Sequence, residues 1–171
     1  MSVIGVAIAV PEPYATELKV HRAAFGDSQA ASIPTHMTLV PPTDVGDALD
    51  VVFRHLGAVA CRHAPFTMRL RGTATFRPIS PVVFVSVIEG ISACELLADD
   101  IRRGPLEQRY SFPYHPHVTI AHHVEDAALD FAYEKLSDYD ASFAVESFQL
   151  YEHGADGVWR PVSGFMLSAD V

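Results

Sequence analysis

Two copies of one four-residue pattern, His36-Met37-Thr38-Leu39 and His117-Val118-Thr119-Ile120, stand 81 positions apart (117 − 36) in a chain of 171 residues. An offset close to half the length is what an internal duplication leaves behind, although two copies are too few for a solenoid. The segments around the motifs recur in the same order. Val3–Val10 reads as a strand ended by Pro11 and Pro13, Tyr14–Phe25 as a helix followed by Gly26, and His36–Val40 as a short strand stopped by Pro41-Pro42. Asp44 and Asp47 lead a helix through about Cys61. Phe66–Phe76 alternates, with Phe66, Met68, Leu70, Ala74 and Phe76 expected on one face and Thr67, Arg69, Arg71, Thr73 and Thr75 on the other. The second series is strand Val82–Ile88, helix Ser92–Arg103, strand His117–Ala121, helix Asp126–Leu136 and strand Ser142–Glu152. Val158–Leu167 adds a last strand across a His153–Gly157 turn, where Asp156-Gly157 signals a hairpin. The expected fold is α+β: two pseudo-twofold-related lobes of antiparallel sheet, with outer helices, around a central groove. One domain, 1–171, is expected, with lobes of about 1–78 and 79–171.

On a strand, residues i and i+2 share a face. His36 and Thr38 therefore project together while Met37 and Leu39 enter the core, and His117 and Thr119 do the same in the second half. Each half offers one imidazole and one hydroxyl to the groove. Two facing imidazoles suit a reaction that removes a proton from one atom and gives one to another near neutral pH. The hydroxyls suit an anion whose charge grows in the transition state. In-line displacement at phosphorus fits these parts.

Composition narrows the partners. With 12 Lys and Arg against 21 Asp and Glu, the net charge of −9 argues against an extended nucleic-acid footprint. The stretch from Val51 to Ile88 has no Asp or Glu but contains Arg54, Arg62, Arg69, Arg71 and Arg77, so one region carries +5 and can attract a small anion. No apolar run reaches membrane-spanning length, Met1–Val10 lacks the basic flank of a signal peptide, and cytoplasm is the default location. Cys61 and Cys94 lie in helix-like segments without a nucleophile motif, and buried packing is the expectation for both. His115-Pro116-His117 and His122-His123 raise the question of a metal, but neither His-x-Thr motif carries an obvious carboxylate or Cys ligand nearby, so no metal or cofactor is expected.

The flanked motifs, Ile33-Pro34-Thr35-His36-Met37-Thr38-Leu39-Val40-Pro41-Pro42 and Phe112-Pro113-Tyr114-His115-Pro116-His117-Val118-Thr119-Ile120-Ala121, resemble those of the two-histidine (2H) phosphoesterase superfamily. That superfamily includes 2′-5′ RNA ligase-like proteins and RNA 2′,3′-cyclic phosphodiesterases. The resemblance spans the chain and implies a metal-independent phosphodiesterase that opens a 2′,3′-cyclic phosphate, on an RNA end or a small nucleotide, to a 2′-phosphate. A reversible 2′-5′ RNA ligase activity is also implied. It implies that His36 and His117 are the acid–base pair and that Thr38 and Thr119 hold phosphate oxygens. Where the family often has Arg, five positions after the second motif His, this chain has His122.

Tyr114, three before His117, and Phe84 are candidates for stacking a base, and Arg77 for a second phosphate contact. The non-catalytic alternative is a nucleotide- or phosphate-binding module using the same groove. A monomer is expected, since a pseudo-twofold chain already has both halves of its groove.

Overall fold

In the computed structural model, residues 2–169 are described, and their hydrogen-bonded ladders form two four-stranded antiparallel sheets. The elements are β1 (Val3–Ala9), α1 (Tyr14–Ala24), β2 (His36–Asp44), α2 (Leu49–Ala60), β3 (Phe66–Thr75), β4 (Val82–Glu89), α3 (Ile91–Ile101), β5 (His117–His122), α4 (Asp126–Lys135), β6 (Asp140–Val145), β7 (Ser147–His153) and β8 (Trp159–Met166). The first sheet has the order β2-β1-β7-β8 and the second β5-β4-β3-β6. The motif strands β2 and β5 are thus each at one edge of their sheet, and they lie beside one another where the sheets meet.

Each helix buries one stripe at helical spacing. Val52, Leu56, Val59 and Ala60 of α2 and Cys94, Leu97, Ala98 and Ile101 of α3 are buried. α2 packs toward β8 and α3 toward β2, covering the first sheet. α1 and α4 cover the second sheet, where Phe25 meets Phe131 at 5.7 Å and Tyr14 meets Phe143 at 6.1 Å. With the helices outside, the opposite faces of the sheets are left to line the groove. Among the described residues no helix is long and apolar enough to cross a membrane.

The α+β class, the antiparallel sheets and the repeated order of elements match the reading of the sequence, and four details differ. First, β2 runs through Pro41 and Pro42 to Asp44 instead of stopping at them. Both prolines sit at a bulge between the Ile4–Thr43 and Val6–Val40 pairs of an edge strand, where a missing N–H leaves no ladder bond unmade. Second, the single strand expected over Ser142–Glu152 is two strands in different sheets, β6 beside β3 and β7 beside β1. The chain crosses at Glu146, and the buried positions change phase there, from Ala141 and Val145 to Phe148 and Leu150.

Third, β3 does not keep one phase. Leu70 pairs with Val87 and Thr73 with Val85, so an extra residue is accommodated at Gly72, whose φ of +67° suits glycine. Thr73 and Thr75 therefore share the helix-covered side with Leu70, and Thr73 Oγ1 donates to the Tyr133 carbonyl of α4 at 2.7 Å. Ala74 and Phe76 turn to the groove side instead. Fourth, Cys94 is buried as expected, with its thiol pushed up to about 12 by desolvation, but Cys61 is exposed.

The sheets do not follow the halves of the chain. Residues 66–145 supply all of the second sheet, while the first combines 3–44 with 147–166. The boundary near 78 and 79 falls in the connection between paired strands β3 and β4.

Candidate active site

The two motifs occupy equivalent places. On β2, His36 and Thr38 lie opposite Ala9 and Ala7 of β1; on β5, His117 and Thr119 lie opposite Ser86 and Phe84 of β4. Met37, Leu39, Val118 and Ile120 are fully buried on the core side. The local geometry of the imidazoles also repeats. His36 Nδ1 lies 2.6 Å from the Pro34 carbonyl oxygen and His117 Nδ1 lies 2.7 Å from that of His115. A carbonyl only accepts, so in both rings Nδ1 carries the hydrogen and donates it, and Nε2 of the neutral ring keeps its lone pair for chemistry.

Each motif is followed by a register shift. In β2 the pairing moves from Thr38–Ala7 to Val40–Val6, and in β5 from Thr119–Phe84 to Ala121–Val83. The inserted residue changes which side chains face the groove. His122, an odd number of positions after His117, is brought opposite Val82 and onto the face of Thr119. Pro41, five positions after His36, is turned to the groove in the same way.

Two cavities flank the motif strands. One, of about 390 Å³, is lined by His36, Thr38, Thr119, His122, Arg22 and Trp159, among others. The other, of about 630 Å³, has Thr38, His117, Tyr114, Phe76, Pro41 and Arg102 on its walls. The Thr38 side chain borders both, so a ligand with a phosphorus atom near the threonines has room for a substituent on either side.

The remaining sequence candidates divide. Tyr114 lines the second cavity, but its ring lies beneath the Arg102 guanidinium at 4.9 Å, its hydroxyl is buried without a partner among the described residues, and burial pushes the phenol pKa well up. Phe84 is 3% exposed and packs on Phe76 at 4.4 Å and on His117 at 5.1 Å. It forms the wall behind the imidazole rather than an open stacking surface. Arg77 lines neither cavity: it points toward α4, with its NH2 nitrogen 2.8 Å from Asp130 Oδ1. An Arg flanked by Phe76 and Pro78 carries no sign of which neighbouring helix will claim it.

Burial depresses both motif histidines. For His36 desolvation outweighs the supporting bond to Pro34, and the Arg22 cation lowers it further; for His117 desolvation again outweighs the supporting bond to the His115 carbonyl, with the charges of the His115 and His36 rings lowering it further. His122 is lowered by desolvation, His123 and Arg22, against an opposing pull from Asp27. The groove thus holds neutral imidazoles at neutral pH.

The permanent charge of the first cavity comes from Arg22, which the motifs do not reveal. It is 7% exposed, on the inner face of α1 one turn after Leu18, and its Nε lies 2.8 Å from Oδ2 of Asp27. Asp27 is 3% exposed and also accepts from the backbone N–H groups of His122 and Gln29, both at 2.9 Å. The sequence signal, visible only afterwards, is an Arg at i+4 from a core leucine with an Asp five residues on. Arg102 of the second cavity is engaged differently, donating to the Leu39 carbonyl at 2.7 Å beneath the Tyr110 ring.

Comparison with known proteins agrees with this architecture. A Bacillus licheniformis protein named "Putative phosphoesterase" is 28% identical over 146 residues, covering 84% of this chain and 86% of its own. A Bacillus cytotoxicus protein of like name is 28% identical over 144 residues, 82% of this chain and 83% of its own. Among solved structures, TT0787 of Thermus thermophilus superposes with a TM-score of 0.68 at 22% identity, over 99% of this chain and 100% of that one. E. coli LigT complexed with 3′-AMP gives 0.66 at 20% identity over 98% of each. The pattern of the 2′-5′ RNA ligase superfamily matches residues 9–157, which hold both His-x-Thr motifs, Arg22 and Asp27, and the chain belongs to that superfamily.

Proposed function

We propose that the protein is a metal-independent phosphodiesterase that hydrolyses a 2′,3′-cyclic phosphate on a small nucleotide or an RNA end to a 2′-phosphate. The observation that carries this reading is the pair of imidazoles on equivalent strands, each with Nδ1 bonded to a backbone carbonyl two residues earlier. One Nε2 takes a proton from water as the water oxygen attacks phosphorus; the P–O3′ bond breaks, and the other ring's Nε2–H protonates the leaving oxygen. The two rings exchange protonation states, and solvent resets them. Thr38 and Thr119 donate to the non-bridging oxygens as negative charge grows there. In ligation a 5′-hydroxyl takes the place of the attacking water: it gives its proton to the same base, the P–O3′ bond breaks, the leaving oxygen is protonated, and a 2′-5′ linkage forms. The chain's net negative charge favours small substrates.

The pair must hold one proton between them, and both rings are depressed below 6.5 in the free protein. Falling pH removes the base and rising pH removes the acid, so the bell in kcat/KM is expected to peak on the acid side of 6.5. A bound phosphate anion favours the imidazolium, so the alkaline limb of kcat moves upward relative to that of kcat/KM. A kcat/KM maximum above pH 7 contradicts this assignment.

The direct test incubates purified protein, with EDTA present, with 2′,3′-cyclic nucleotides and a short RNA ending in a 2′,3′-cyclic phosphate. Phosphorus NMR is expected to show a 2′-phosphate. A 3′-phosphate product, or turnover abolished by EDTA, overturns the mechanism. Binding of nucleotide that perturbs His36 and His117 without turnover assigns the groove to a non-catalytic module.

A further inference from the structure

Among the described residues Arg22 and Asp27 are the two buried charged side chains, and the form of their contact is unlike that of two of the molecule's surface pairs. Arg69 grips Asp140 through two nitrogens, Nε to Oδ1 at 2.9 Å and NH2 to Oδ2 at 2.6 Å. Arg160 grips Asp156 in the same two-point manner at 2.9 and 2.6 Å. Arg22, far more buried, touches Asp27 through Nε alone. A guanidinium taken out of water recovers most when its planar fork is filled, so a buried one-point contact leaves its strongest donors unspent.

Those donors belong to a residue on the wall of the cavity that holds His36, Thr38, Thr119 and His122. Asp27 has no comparable freedom. Its Oδ2 is shared by Arg22 Nε and the His122 N–H, and its Oδ1 takes the Gln29 N–H. The carboxylate therefore fastens the end of α1 to the end of β5 and fixes one edge of the guanidinium, with two NH2 groups that have no acceptor among the described residues.

We propose that Arg22, aimed by Asp27, is the phosphate-binding cation of the groove, its terminal NH2 groups donating to the non-bridging oxygens of the phosphodiester. This rests on the reading of the groove as a phosphodiester site. It names a contact from the first helix, reaching the groove from outside both motifs. His122 is the weaker source of charge, since desolvation, His123 and Arg22 lower its pKa against an opposing pull from Asp27. Arg102 also donates through Nε alone, to the Leu39 carbonyl, but it stacks on two tyrosine rings in the other cavity, away from the one that holds His36, Thr119 and His122. Asp27 is a positioning residue: it touches Arg22 and the His122 backbone and leaves the phosphate to them.

The test compares the wild type with Arg22→Lys, Arg22→Gln and the double variant Arg22→Gln/Asp27→Asn. The double variant removes both charges together, so no carboxylate is stranded in the interior. Inorganic phosphate is the binding probe, titrated by calorimetry, and folding is checked by circular dichroism. Loss of a donor aimed at developing charge lowers kcat by about 10²-fold or more, with phosphate affinity expected to fall in parallel in both Gln-containing variants. Lys keeps the charge but cannot hold Asp27 and a phosphate fork at once, so Arg22→Lys is expected to stay folded and fall between.

A second readout needs no turnover. The ionisable groups that share the cavity with His36 are Arg22, held by Asp27, with His122 on β5 and Tyr151 on β7, and the charge of His117 on β5 couples to it. Removing the Arg22 cation is expected to raise the His36 titration, followed by NMR in the absence of phosphate, in Arg22→Gln/Asp27→Asn. A folded double variant with wild-type phosphate affinity and wild-type kcat/KM overturns the proposal. So does a folded Arg22→Lys with both unchanged, should the double variant not fold. If His36→Ala abolishes turnover while these variants do not reduce it, the proposal alone fails. If the wild type neither binds phosphate nor opens a diester, the reading of the groove fails with it.

Discussion

Alanine at either His36 or His117 is expected to lower kcat by about 10³-fold or more, in line with the loss of a positioned proton-transfer group and its pairing with a second one. The two changes are expected to be far from additive. An acid without its base, or a base without its acid, performs half of a proton exchange that must be completed in one passage over phosphorus. Phosphate affinity is expected to change little by comparison, because neutral rings supply none of the permanent charge that attracts the anion. His117 needs a control of similar volume, since its ring packs between Phe76 at 4.9 Å and Phe84 at 5.1 Å and alanine opens a gap there. His117→Gln fills the space and removes the titrating group. Single-turnover kinetics on a 2′,3′-cyclic nucleotide separate chemistry from product release, and full activity in either alanine variant would falsify the two-histidine mechanism.

The largest effect on stability is expected from Phe148→Ala. Phe148 is fully buried on β7, stacks on Phe165 of β8 at 5.3 Å, and Phe165 in turn meets Phe53 of α2 at 5.1 Å. The chain has just crossed from one sheet to the other at this point, so the ring is the first large anchor of the returning hairpin. Deleting a buried phenyl costs about 3–5 kcal/mol in lost transfer energy and residual cavity. Against a total stability of roughly 5–15 kcal/mol, that is a large share. At about 2–4 °C per kcal/mol for a domain of this size, Tm is expected to fall by roughly 10 °C. Urea unfolding checks it: a midpoint within experimental error of the wild type means that the first sheet does not depend on this ring.

What could be read from the sequence followed from short-range periodicity. Alternation put Met37, Leu39, Val118 and Ile120 in the core and the His and Thr side chains on the other face, and the structure agrees at each of these positions. Alternation failed where the backbone inserts a residue. Gly72 moved Phe76 to the groove side, and the shift after Thr119 moved His122 there; a bulge is decided by pairing with a partner strand, which a single strand's pattern does not contain. The break at Glu146 was legible in principle, since Phe143 and Val145 alternate out of step with Phe148 and Leu150. Strand propensity ran through it all the same. Arg22 was hidden for another reason. Its place at the groove depends on α1 from the first half packing on β5 from the second, a long-range contact that no local pattern announces.

The way the strands are shared between the sheets sets an order of assembly during synthesis. The second sheet lies within one unbroken stretch, residues 66–145, and its ladder can close while the ribosome is still adding residues. β1 and β2 emerge first yet wait for β7 and β8, so the earliest strands complete their sheet last, across a long loop. A nascent chain of 145 residues therefore carries both His-x-Thr motifs but only two strands of the sheet that seats the first. Released at that length, it is expected to show no saturable phosphate binding, and saturable binding would show that the β1–β2 hairpin seats His36 unaided. Residues 147–166, the β7–β8 hairpin, contribute neither motif and thus act as the latch that turns two separate imidazoles into a pair.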